Sequence, residues 1–135
     1  MGFHVNESQF DAWLTEQQKT YDIYAPKCFA GGNTFSDVDY IRYGKVNSIS
    51  EIVFDRKSEY SFKKVLTPIS QTLFFFTESI SKEADPPKKG AIIFLRSCDL
   101  HALKRLDDMY LHNGPADYYG VFSPENVSAM KCMRT

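Results

Sequence analysis

The sequence predicts a single small α/β domain, with mixed α+β as the alternative: one mixed sheet with flanking helices. Three observations carry this. Residues 91–95 (AIIFL) form an apolar run that passes at once into a helical pattern, and a further half-apolar stretch follows at 127–133. Residues 6–19 carry an apolar face at helical spacing. The chain, 135 residues without an internal repeat or low-complexity segment, is long enough to bury one core without staples.

Taken in order, the first helix has Asn6 or Ser8 as its cap and places Phe10, Trp13, Leu14 and Gln17 on one face. A short extended piece, DIYAP, is predicted to close at Pro26, and AGGNTFS (30–36) reads as a loop. DYIRYG (39–44) alternates as a strand ended by Gly44. Ser48 or Ser50 opens a helical turn through Ile52 and Phe54, and a second short helix runs from Ser61 to before Pro68. TLFFFTE (72–78) is aromatic and β-prone, which predicts a buried strand, whereas ISKEADPPKKG (80–90) reads as an exposed connection. The strand 91–95 then leads to a helix over about 99–111, whose apolar stripe is Leu100, Leu103, Leu106 and Tyr110. Asn113-Gly114-Pro115 is the expected stop, with Gly114 as a left-handed cap, and VSAMKCM (127–133) is one more strand.

Composition removes several function classes. Net charge is −1 with no basic face, which argues against nucleic acid as a partner. No segment approaches the roughly 20 apolar residues of a membrane span. The opening MGFHVNESQF lacks the basic and apolar regions of a signal peptide, so a cytoplasmic location is expected. Three cysteines, Cys28, Cys98 and Cys132, argue against a disulfide framework and for reduced thiols, either packed or holding a metal.

The most chemically pointed stretch is Arg96-Ser97-Cys98-Asp99, at a strand-to-helix turn. Unpaired backbone N–H groups and the positive end of a helix dipole stabilise a thiolate there. Arg96 adds positive charge, and Asp99 is expected to cap the helix through backbone N–H groups near Ala102. Such a turn suits a cysteine that works ionised, as a nucleophile or as an iron or zinc ligand. A packed, inert thiol is the competing reading, since free cysteine is among the most buried residue types. No Cys-x-x-Cys pair, dinucleotide fingerprint or phosphate loop is present, and a cysteine-phosphatase loop fails because Lys104 stands where its arginine belongs. His101 reads as a surface or packing residue, and Cys28 in PKCFAGG as structural.

The segment IIFLRSCDLHALKRLDDMYLHNG (92–114) resembles that of the iron–sulfur subunit of anaerobic sulfite reductase, and sulfhydrogenase beta subunits have a similar Arg-x-Cys-Asp turn. IYAPKCFAGGNTFSDVDYIRYG (23–44) and LTPISQTLFFFTE (66–78) resemble the sulfite reductase subunit too, so the likeness runs from about residue 8 onward. It implies an electron-transfer role between a flavoprotein subunit that oxidises NADH and a sirohaem subunit that reduces sulfite to sulfide. Members of that family are more than twice this length and continue with a Cys-Phe-Cys segment and two ferredoxin-type cysteine runs. The resemblance makes residues 1–135 the N-terminal domain of such a subunit, without its cluster-bearing C-terminal part. It casts Cys98 and Cys132 as two of four thiolate ligands of a [4Fe–4S] cluster, with Arg96 and Asp99 setting turn geometry and cluster electrostatics. The chain alone would then hold no complete cluster and carry no catalysis. Three other readings remain: a beta subunit of a hydrogenase-type complex, a subunit-docking module, and a thiol enzyme using Cys98 with His101 as its base.

Overall fold

A computed structural model describes residues 5–33, 36–67, 70, 72, 74–83, 89–114 and 127–131, with Glu83, Leu111 and 127–131 described by backbone alone. Helix α1 spans Glu7–Gln17 behind Asn6, whose extended backbone starts it and whose N–H donates to Gln9 Oε1 at 3.3 Å. Strand β1 is Tyr21–Phe29 and β2 is Tyr40–Lys45. A 3-10 turn, Ile49–Glu51, is anchored where Ile49 N–H donates to Asp11 Oδ1 at 2.7 Å. Helix α2 is the single turn Lys63–Leu66. Strands β3 (Phe74–Phe76) and β4 (Ser81–Glu83) pair antiparallel, β5 is Gly90–Leu95, α3 is Ser97–Leu111 and β6 is Val127–Lys131.

The main sheet is mixed and runs β2-β1-β5-β6. β1 and β2 are antiparallel, while β5 lies parallel to both β1 and β6. A strand with parallel neighbours on both edges has both faces covered, and β5 obeys this. Ile92 and Phe94 join Leu14, Ile23, Ala25, Val46 and Ile52 under α1. The alternate residues Ile93 and Leu95 join Phe62 and Leu66 under α2 and α3. The helical stripe Leu100, Leu103, Leu106 and Tyr110 packs on this second cluster, as its spacing predicts.

Several sequence expectations are corrected. Pro26 does not close β1. The strand continues to Phe29, and the Pro26 carbonyl accepts from Val53 N–H at 2.8 Å. Parallel pairing of β1 with β5 covers Tyr21 to Tyr24, and beyond it Lys27 bridges to Ile52. Proline is tolerated there because it stands past the parallel ladder, where no N–H is required of it. Gly44 lies inside β2 rather than ending it, and a Cβ there would come 2.8 Å from the tip of the Phe29 ring. Phe74, Phe75 and Phe76 form a strand but not a buried one: they are 58%, 60% and 82% exposed. The predicted exposed connection contains β4, which pairs with them. Helix α3 begins at Ser97, two residues before the expected start, and Gly114 is at φ 152°, outside the left-handed helical well. Pro115, Cys132 and Met133 lie outside the described residues.

Candidate functional site

The Cys98 turn is built by the end of β5. Leu95 is buried, and the next residue, Arg96, is extended (φ −78°, ψ 161°) and serves as the N-cap position of α3. Its carbonyl accepts from Asp99 N–H at 3.0 Å and Leu100 N–H at 3.1 Å, which starts the helix immediately. Ser97, Cys98 and Asp99 are therefore the first three helical residues. Asp99 is not the cap: it sits inside the first turn, where its charge still favours the positive end of the helix. Cys98 is a free, exposed thiol, so the packed-cysteine alternative does not hold.

Arg96 does more than add charge. Its Nη2 donates to the Arg56 carbonyl at 3.0 Å and ties the 55–62 segment to the turn. The same segment is held from the other side, where Glu59 N–H donates to the Ile41 carbonyl at 2.8 Å. The result is a cleft of about 430 Å³ walled by Lys57 to Phe62 on one side and by Arg96, Cys98 and Asp99 on the other, with Pro26 and Tyr43 also lining it. It opens at the carboxyl end of a parallel strand, the usual ligand position in α/β sheets.

Tyr43, whose ring meets Phe62 edge-on at 6.4 Å, is the polar group that reports on this cleft. Burial pushes its phenol up to about 12, Asp99 adds to the rise, Arg96 opposes it and Cys98 contributes a smaller push. The phenol therefore stays protonated at neutral pH, as an O–H donor in the lining of the cleft.

A second, more open groove of about 730 Å³ runs along α3 from Cys98 past Ala102, Arg105 and Met109, with His101, Leu106 and Lys63 also lining it. His101 thus shares a groove with Cys98, one helical turn along. The sequence pattern did not single out this second stripe. Cys98, Ala102, Arg105 and Met109 recur at helical spacing beside the core stripe, and only Met109 among them is a large apolar residue.

On the far side of β5, β6 is its parallel neighbour, with Lys131 abreast of Leu95. Cys132 is the next residue in sequence and lies outside the described residues. Among the described residues, no group of three or more His, Cys, Asp or Glu side chains is placed to hold a metal ion. Cys28, also free and exposed, belongs to β1, in register with Ile41. No helix among the described residues is long and apolar enough to cross a membrane.

An exposed cysteine stands at a strand-to-helix turn, beside a protonated phenol and a guanidinium that holds the facing loop. The chain that carries it is similar to a sulfhydrogenase subunit. Over 79 residues it is 33% identical to sulfhydrogenase 2 subunit beta of Pyrococcus furiosus. The aligned stretch takes in 58% of this chain, which spans 24% of that protein's length. No protein-family model matches the chain, and no solved structure matches it.

Proposed function

We propose that this chain is part of an electron-transfer subunit of a multi-subunit oxidoreductase, with Cys98 as an iron–sulfur ligand at the β5–α3 turn. The observation that carries the reading is the free thiol of Cys98, presented at the carboxyl end of β5, in a chain similar to a sulfhydrogenase beta subunit. Two further facts support it. β6 runs parallel to β5, ends abreast of it and is followed directly by Cys132, so the two cysteines follow neighbouring strands. Arg96 and Asp99 stand on either side of the thiol with opposite charges, Arg96 bound to the Arg56 carbonyl and Asp99 in the first turn of α3.

The residues present do not fit a complete cluster. A four-thiolate site needs more cysteines than the three in this sequence, even with Cys28 included. Cys98 and Cys132 are a partial set in this proposal, and the remaining ligands come from outside residues 1–135. Residues 1–135 are then one domain of a longer subunit, and electron transfer, not catalysis, is its task. Exposed free thiols at Cys28 and Cys98 suit a reducing compartment such as the cytoplasm.

Of the two assemblies, sulfhydrogenase is supported by the identity to the Pyrococcus subunit, and anaerobic sulfite reductase by the extent of the resemblance from residue 8 onward. In the sulfite reductase form, the partners are a flavoprotein and a sirohaem subunit. Co-purification of the chain in its native complex decides between them by whether sirohaem or nickel accompanies it.

Anaerobic reconstitution with iron and sulfide tests the ligand assignment. The expected result is iron below one [4Fe–4S] cluster per chain, with uptake falling further in Cys98→Ser. A stable, stoichiometric cluster on this chain, or uptake indifferent to Cys98→Ser, contradicts it.

A docking module is the second reading, favoured by the three exposed phenylalanines of β3. The two readings are compatible, since a relay subunit must also bind its neighbours.

A further inference from the structure

The groove along α3 has a composition that neither its position beside Cys98 nor the proposed iron chemistry requires. Its floor is apolar: Ala102 and Leu106 are half-buried, packed on the core cluster on one side and open to the groove on the other. Met109, 51% exposed, extends that floor, and methionine adapts well to a partner's surface. The charged side chains that line it are Lys63 from α2 and Arg105 from α3, with His101 beside them. All three are exposed. Among the described residues no carboxylate lines this groove, although α3 carries Asp99, Asp107 and Asp108 and the chain as a whole has net charge −1. Asp99 faces the other cleft, and Asp108 is 3.7 Å from His112.

The geometry points to this groove as the docking site for an acidic, amphipathic helical segment of a partner protein. Its apolar face would lie on Ala102, Leu106 and Met109, and its carboxylates would meet Lys63 and Arg105. Helix-in-groove recognition lays an apolar helix face on an apolar floor, and rim charges of one sign select a partner of the opposite charge. Cys98 closes one end of the groove, so the bound segment covers the thiol. Groove shape and charge alone carry this docking site, whether or not Cys98 holds iron.

The test uses the metal-free 135-residue chain and two synthetic helical peptides, each with a leucine face, one with glutamates and the other with lysines on the polar face. Fluorescence anisotropy should show binding of the glutamate peptide, weakening as salt rises, and no comparable binding of the lysine peptide. Alkylation followed residue by residue by mass spectrometry should slow at Cys98 and stay unchanged at Cys28. The double substitution Lys63→Glu with Arg105→Glu, at two exposed positions, should weaken binding by about tenfold or more. Several results overturn the proposal: equal binding of both peptides, no binding of either, unaltered Cys98 alkylation in the complex, or indifference to the double substitution. Sedimentation serves as a separate arm. A dimer that the same double substitution dissociates would make a second copy the occupant and would equally overturn it.

Discussion

β5 and β3 are both short strands written in apolar residues, yet one is the centre of the core and the other faces solvent. Ile92, Ile93, Phe94 and Leu95 are buried, while Phe74, Phe75 and Phe76 are all more than half exposed. The difference lies in neighbours, not composition. β5 has a strand on each edge and apolar cover on each face, from α1 on one side and from α2 and α3 on the other. Among the described residues β3 has only β4, paired as Phe74 with Glu83, Phe75 with Lys82 and Phe76 with Ser81. An apolar run predicts a strand; burial follows only when other elements bring surface to cover it. These exposed aromatic residues are the observation on which the docking-module reading rests.

The contrast between the two strands is strained hardest in β5. Phe94→Ala removes a ring that packs edge-on against Phe10 at 5.9 Å in the cluster under α1. The expected loss is about 3–5 kcal/mol, read from chemical denaturation. A loss below about 1 kcal/mol would mean that the core is not organised around β5.

Tyr43 stands between the two regimes, half-buried at the edge of the cleft. Its phenol is raised in the folded state to about 12, chiefly by burial. The folded chain therefore holds this proton more tightly than the unfolded chain. The corresponding stability is fully present below about pH 10 and is lost as pH rises through the folded value. Tyr43→Phe should flatten the fall in stability between these two pH values. Tyr24, also raised by burial, leaves part of the slope in place. An unchanged slope in Tyr43→Phe would place the phenol in open solvent.

The smallest effect is expected in β3. Phe75→Ser and Phe76→Ser should each change stability by no more than about 0.5 kcal/mol, as exposed substitutions do. They should also lower binding of a hydrophobic dye. A loss of stability comparable with that of Phe94→Ala would show that the hairpin is covered after all.

Much of this fold was legible because local and tertiary signals agree. Asn6 begins α1, Leu14 is buried with Phe10 and Trp13 packed around it, and the α3 stripe meets the core at its predicted positions. What escaped the sequence depends on distant neighbours. Pro26 remains in a strand only because β5 pairing has ended beside it and Val53 takes its carbonyl. Asp99 looks like a cap in sequence, but Arg96 already supplies the carbonyl that begins the helix, which moves Asp99 inside the first turn. The turn itself is legible as a strand-to-helix junction that carries Cys98. Its cleft is not, because Tyr43 and the 55–62 segment arrive from elsewhere in the chain. The alternation of face along α3 was also hidden, since alanine and arginine do not announce a groove.

The proposal makes Cys98 and Cys132, which follow β5 and β6 in sequence, ligands of one metal, and cobalt(II) tests that pairing most directly. Titration of the reduced chain under anaerobic conditions should give thiolate-to-cobalt charge-transfer absorption. That absorption should fall in Cys98→Ser and in Cys132→Ser and persist in Cys28→Ser. Absorption that survives loss of Cys98, or that depends on Cys28 instead, would mean that the two cysteines do not share a metal.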